Sequence, residues 1–288
     1  MIDPASPAEP HFGTLAIAGV GLIGGSIAAA ARHNNVASRI IGIGRTASRL
    51  EAAVDAGLIH EGTTDPASAA GADLAIVCTP VDRIVEDVRI LASVLGPGSL
   101  ITDAGSTKDS LCKALADLDG VDGPAFIGSH PLAGSELQGF EHARADLFRD
   151  RLCVITPSGN ALPDHTARLE QFWKAVGATV VTRTPEQHDQ ALARTSHLPH
   201  LLAAALAGSL QDTDAQFAAS GFRDTTRIAA GDPGLWVPIF SHNTTAILAA
   251  LDRLQAKLKE FSDSLQQDDT CALQKLLEEA KRNRDGLG

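Results

Sequence analysis

The sequence predicts an α/β protein, a doubly wound and mainly parallel sheet followed by an all-helical domain. Three observations carry this. Short apolar runs alternate with helix-length stretches over residues 1–183. A glycine-rich turn joins the first apolar run to the first helix. After Pro185 the strand-like runs stop and long apolar-periodic stretches take over.

Taken in order, residues 14–20 (TLAIAGV) read as a buried strand and 22–33 as an alanine-rich helix. A second strand covers 39–44 (RIIGIG), with a helix through about Ala56. Further strands are expected at 73–80, ended by Pro80, and at 99–105, 125–130, 152–157 and 178–182. Helices are expected at 82–95, from about Lys108, and over roughly 163–176. This alternation implies a Rossmann-like sheet, in which ligands bind beyond the carboxyl ends of the strands. The second unit, residues 184–288, begins with a helix from Pro185 to about Leu210, with an irregularity expected at Pro199. Another helix begins near Trp236 or Pro238. Its continuation places Ile247, Leu251, Leu254, Leu258, Phe261 and Leu265 on one seam. That spacing fits either internal helix packing or a homodimer interface.

Bulk composition narrows the function. The chain has 288 residues, 44% hydrophobic and 20% charged, with a formal net charge of −11. That balance disfavours a nucleic-acid or anionic-membrane surface. The four cysteines, Cys78, Cys112, Cys153 and Cys271, are far apart and read as reduced thiols. The first residues lack a basic segment followed by an apolar core, so no signal peptide is expected and a cytoplasmic location is. The longest apolar run, Leu15–Ala31, contains glycines and a serine and reads as strand, turn and helix, not a membrane span. No metal-ligand spacing is found.

The first chemical motif is Gly19-Val-Gly21-Leu22-Ile23-Gly24. Its place between strand and helix is that of a dinucleotide fingerprint, where glycines admit a pyrophosphate and a helix N-terminus offers free N–H groups. An NAD site usually has an acid about 20 residues further on, at the end of the second strand. Here that place is Gly44, followed by Arg45 and Thr46. An arginine there suits a 2′-phosphate, so NADP is favoured over NAD. Thr79-Pro80, Gly105-Ser106 and Ser129-His130 lie at other strand ends, where the nicotinamide half would sit.

Four polar segments complete the reading: DAGSTK (103–108), GSHPLAGSE (128–136), SHLPH (196–200) and GFRDTTRIA (221–229). In this order they resemble the prephenate/arogenate dehydrogenase family of tyrosine biosynthesis, from GVGLIGGS through the helical domain. The resemblance implies NAD(P)-dependent oxidation of prephenate with loss of carbon dioxide, giving 4-hydroxyphenylpyruvate. It implies His130 as the base and Ser106 as a second ligand of the substrate hydroxyl. It implies Arg227 as a carboxylate ligand, His200 and then His197 at the substrate side chain, and Glu136 as a gate or polar orienter at the pocket mouth. Chemistry agrees: a histidine suits proton abstraction near neutral pH, and a planar guanidinium suits a carboxylate. Ser106 also reads as an N-cap of the following helix, and Arg223 as a rival of Arg227. The remaining histidines (His11, His33, His60, His142, His165, His188, His242) read as mostly solvated.

Within the family, His200 and Glu136 look like the prephenate-using members. Arg45 looks like NADP-using members, several of which prefer arogenate. The absence of tyrosine excludes short-chain dehydrogenases. A β-hydroxyacid or 2-hydroxyacid dehydrogenase would need a different base. An NAD(P)H-sensing regulator would keep the glycines without needing Ser106, His130 and Arg227 together.

Overall fold

Alternation of apolar residues along the first strand sets up two cores. In β1 (Phe12–Ala18), Leu15 and Ile17 face one side of the sheet while Ala16 and Ala18 face the other. Both sides are buried, as a parallel sheet covered by helices requires. The computed structural model describes residues 12–134, 137–158 and 161–287. Glu136, His11 and the N-terminal segment in which no signal peptide is expected lie outside the described residues.

The chain continues through α1 (Leu22–His33), β2 (Ala37–Ile43), α2 (Ala47–Asp55) and β3 (Glu61–Thr63). It then crosses over to β4 (Leu74–Val77), α3 (Val81–Ala92), β5 (Leu100–Asp103), α4 (Asp109–Ala114) and β6 (Ala125–Phe126). These six strands form a parallel sheet in the order β3-β2-β1-β4-β5-β6. The order reverses between β1 and β4, which opens a crevice at their carboxyl ends.

Two expectations change here. The short strand β3 was not anticipated; its three residues, Glu-Gly-Thr, carry no apolar pattern. The expected strand at 125–130 is two strands in two sheets. Ile127 still donates its N–H to Ile101 O at 3.0 Å, and the chain then leaves the first sheet. β7 (Gly128–Pro131) pairs antiparallel with β8 (Leu152–Thr156), which pairs parallel with β9 (Thr179–Thr182). α5 (Pro163–Ala175) sits beside this three-stranded sheet. Its Phe172 and Trp173 are fully buried in the same core as Leu15 and Ile17.

The helical half starts at α6 (Pro185–Leu192). Thr184 and Gln187 form a capping box, each side chain accepting from the other's backbone N–H at 3.2 Å. A π-helical turn over Ala193–His197 separates α6 from α7 (Leu198–Gly208). The irregularity therefore immediately precedes Pro199, which lies in the first turn of α7. α8 (Ser220–Thr226) runs into a short 3₁₀ turn at Arg227–Ala230, followed by α9 (Pro233–His242), α10 (Thr244–Gln266) and α11 (Thr270–Asp285). The predicted seam lies on α10. Ile247 at its start is 4% exposed, whereas Leu258 and Leu265 are 53% and 62% exposed.

Candidate active site

The fingerprint glycines are required by contact distances. Gly19 has φ +94°, and a Cβ there would lie 2.9 Å from the Cys78 carbonyl group. A Cβ on Gly24 would lie 2.2 Å from Gly19 O. A Cβ on Gly21 would meet nothing within 4 Å, because that residue faces open space. No side chain caps α1, so the N–H groups of its first turn, where Leu22, Ile23 and Gly24 sit, face the crevice without a side-chain acceptor. The geometry fits a pyrophosphate.

A cleft of about 830 Å³ opens from this turn. Gly19, Gly21, Gly44, Arg45, Thr46, Thr79 and Pro80 all line it. Leu22, Ile23, Gly24 and Ser106 do not. Arg49 and Arg83 line it too and were not anticipated. Arg83 is committed to Glu86 at 3.2 Å, and Arg49 approaches Glu141 at 3.6 Å. Arg45 is exposed and has no ion-pair partner among the described residues. A Cβ on Gly44 would make only ordinary contact with Leu50, 3.4 Å away. An acid at this position is therefore sterically admissible, and the sequence carries none.

Beyond the cleft, the ends of β5 and β7 are locked together. The Asp103 carboxylate accepts from Ser129 N at 3.1 Å and Gly105 N at 2.8 Å, and it pairs with Lys108. Ser129 Oγ donates to Asp103 O at 2.5 Å. It accepts from the indole N–H of Trp173 at 3.1 Å, and Thr102 Oγ1 lies 2.8 Å away. A hydroxyl has one proton, so Thr102 is the donor in that last pair. Ser129 thus has a full set of partners, and His130 follows it on a fixed strand.

His130 Nδ1 lies 2.9 Å from His188 Nε2, and His188 Nδ1 lies 2.7 Å from Asp189 Oδ1. Burial, then the neighbouring His188, Lys108 and His197, holds the His130 imidazolium well below the usual range. His130 is therefore neutral at neutral pH. His197 is pushed down to about 4 by burial. Its Nδ1 is held 3.1 Å from the Asn243 amide nitrogen, and its Nε2 is buried without a partner. The His200 ring stacks on Trp236, centroids 3.6 Å apart, with Nδ1 likewise buried and unpaired. Two orphaned ring nitrogens near one tryptophan are groups that a bound polar ligand would satisfy.

Several expected roles change. Ser106 is half-buried in the loop before α4 and caps nothing. The cap is Asp189, whose carboxylate accepts from Lys108 N at 2.8 Å and Asp109 N at 2.9 Å. His188 is 1% exposed and His165 6%, so neither is solvated. Arg223 donates to Ala218 O at 3.0 Å, whereas Arg227 is exposed and has no ion pair among the described residues. His188 and Asp189 carried no sequence signal beyond their adjacency, because their partners lie in a different domain.

A family model for "Prephenate dehydrogenase, nucleotide-binding domain" matches residues 27–182, and one for "Prephenate dehydrogenase, dimerization domain" matches 184–279. The prephenate dehydrogenase of Bacillus subtilis is 34% identical over 282 residues, 95% of this chain and 76% of that protein. The crystal structure of A. aeolicus prephenate dehydrogenase with hydroxyphenyl propionate and NAD+ is similar with a TM-score of 0.89 at 30% identity, covering 96% of this chain and 98% of that one. Synechocystis arogenate dehydrogenase is similar with a TM-score of 0.83 at 30% identity, covering 96% and 100%. Matched by both family models over most of its length, the chain belongs to the prephenate dehydrogenase family.

Proposed function

We propose that this chain oxidises and decarboxylates prephenate to 4-hydroxyphenylpyruvate in tyrosine biosynthesis, with NADP favoured over NAD. The observation that carries the reading is a half-buried His130 on β7 whose Nδ1 is held 2.9 Å from His188 Nε2 and whose ring is kept neutral by its surroundings. When bound, the oxidised nicotinamide supplies a hydride acceptor. His130 takes the proton of the substrate hydroxyl, and Ser106 holds that hydroxyl in line. Arg227 binds a substrate carboxylate. His200 and His197 face the side-chain end, offering the nitrogens that lack partners in the protein. Glu136 serves as a gate or polar orienter for the substrate. Arg45 receives the 2′-phosphate, and Gly44 leaves no acid to repel it.

Residues 1–183 act as the nucleotide-binding unit and 184–288 as the helical unit. The exposed end of the α10 seam supports a homodimer through the latter. Among the described residues no helix is long and apolar enough to cross a membrane; the acidic, cysteine-poor composition supports a cytoplasmic enzyme. Likeness to an arogenate dehydrogenase keeps arogenate as the second reading. His200 favours prephenate, since it would face the ketone that arogenate replaces with an amine.

His130→Asn tests the reading. It should lower kcat by about 10²–10⁴ while cofactor titration is unchanged. Near-normal turnover would remove His130 from its role.

A further inference from the structure

We propose that Asp189 and His188 are positioning residues that hold His130 as its Nδ1–H tautomer, leaving Nε2 bare to accept the substrate proton. The proposal rests on the reading of His130 as the base.

Asp189 Oδ1 faces the N–H of Lys108, and Oδ2 faces the N–H of Asp109. Both oxygens are acceptors held in place by backbone. His188 Nδ1, 2.7 Å from Oδ1, must therefore carry a proton. A bare Nδ1 there would set lone pair against lone pair. A neutral imidazole carries only one ring proton, so His188 Nε2 is an acceptor. His130 Nδ1 lies 2.9 Å from that acceptor and is the donor. The proton on His130 is then accounted for, and Nε2 is free. The two rings are inclined at 65° with centroids 5.1 Å apart, the arrangement of an edge-joined pair rather than a stack. Burial keeps His188 neutral against the opposing pull of Asp189.

The groups facing this chain do not disturb it. Lys108 is committed to Asp103, and neither side chain is exposed. His197 offers its Nδ1 to Asn243, whose amide nitrogen also donates to Asp189 O at 2.9 Å. Consecutive residues on a helix point about 100° apart. His188 can therefore reach β7 while Asp189 reaches the start of α4. The middle of α6 thus spans the loop that carries Ser106 and the strand that carries His130.

In the reaction, His130 Nε2 takes the proton of the substrate hydroxyl; a bound oxidised nicotinamide would supply the acceptor for the hydride on the carbon that bears that hydroxyl. The imidazolium so formed keeps its Nδ1 proton shared with His188 Nε2, and the Asp189 carboxylate stabilises the positive pair. A histidine locked in the other tautomer would present an N–H to the hydroxyl and accept nothing.

The test combines ring nitrogen-15 NMR of histidine-labelled full-length protein with kinetics on prephenate. In the wild type, His130 should show a protonated Nδ1 and a bare Nε2. His188→Leu should populate both tautomers and lower kcat by about 100-fold, with KM for prephenate and cofactor unchanged within about twofold. His188→Gln should recover about tenfold of that loss, because its amide oxygen accepts from Nδ1–H while its nitrogen donates to Asp189. A protonated Nε2 in the wild type would overturn the proposal, even if His188→Leu does not fold. So would a wild-type kcat in His188→Leu, or equal losses in the two variants. The tautomer is read without substrate. A wild type inert toward prephenate but with the expected tautomer would therefore sink the proposed reaction alone.

Discussion

Lys108 pairs with Asp103 where neither side chain reaches solvent. Asp103 also receives the N–H of Ser129, the residue before His130. The pair therefore joins the loop carrying Ser106 to the strand carrying His130. Removing one partner of a buried pair leaves an uncompensated charge. Lys108→Met should cost about 3–5 kcal/mol in chemical denaturation and lower kcat along with stability. A variant as stable as the parent would show that Asp103 is satisfied by backbone alone.

Cofactor choice is testable at two neighbouring positions. Arg45→Ala should raise KM for NADP about 10- to 100-fold, the scale of a lost charge-assisted hydrogen bond, and leave NAD nearly unchanged. Gly44→Asp should shift preference toward NAD, since a side chain there meets only Leu50. Equal effects on both cofactors would remove the reason for assigning the 2′-phosphate to Arg45.

Arg227 is expected to act in binding. Arg227→Ala should raise KM for prephenate at least tenfold with a smaller change in kcat, and Arg227→Lys should restore it only partly, for want of the planar fork. A fall in kcat at unchanged KM would place its contribution in the transition state instead.

Burial of neutral histidines makes both rate and stability depend on pH. His130 and His188 are lowered and His197 is pushed to about 4. The acid limb of kcat/KM should therefore lie below about 6.5, the ordinary histidine value. In the unfolded chain these rings protonate near 6.5, so below that pH the unfolded state binds more protons. Stability is then full above about 6.5 and is lost as pH falls toward the folded values. For His197 alone the upper bound is about 3 kcal/mol. Urea midpoints measured from pH 7 to 4 should fall, and His197→Gln should reduce the fall. A midpoint flat over that range would contradict the buried neutral assignment.

What the sequence made legible was local. The glycine fingerprint, the strand ends at Thr79 and His130, and the SHLPH run each declare themselves through neighbours in the chain. The change of sheet at Ile127 did not, because an apolar residue reads alike in either sheet. The π-helical turn was displaced onto Pro199 because proline is the visible helix breaker, whereas the wider turn over Ala193–His197 has no residue signature. His188 and Asp189 carry no local signal, because their partners, His130 and the backbone of Lys108 and Asp109, are distant in sequence.

Initial rates of cofactor reduction with prephenate and with arogenate, each with NADP+ and with NAD+, test substrate and cofactor together. Turnover with prephenate should exceed that with arogenate, and NADP+ should exceed NAD+. Silence in all four combinations, in a protein that still binds the cofactor by titration, would contradict the proposed reaction.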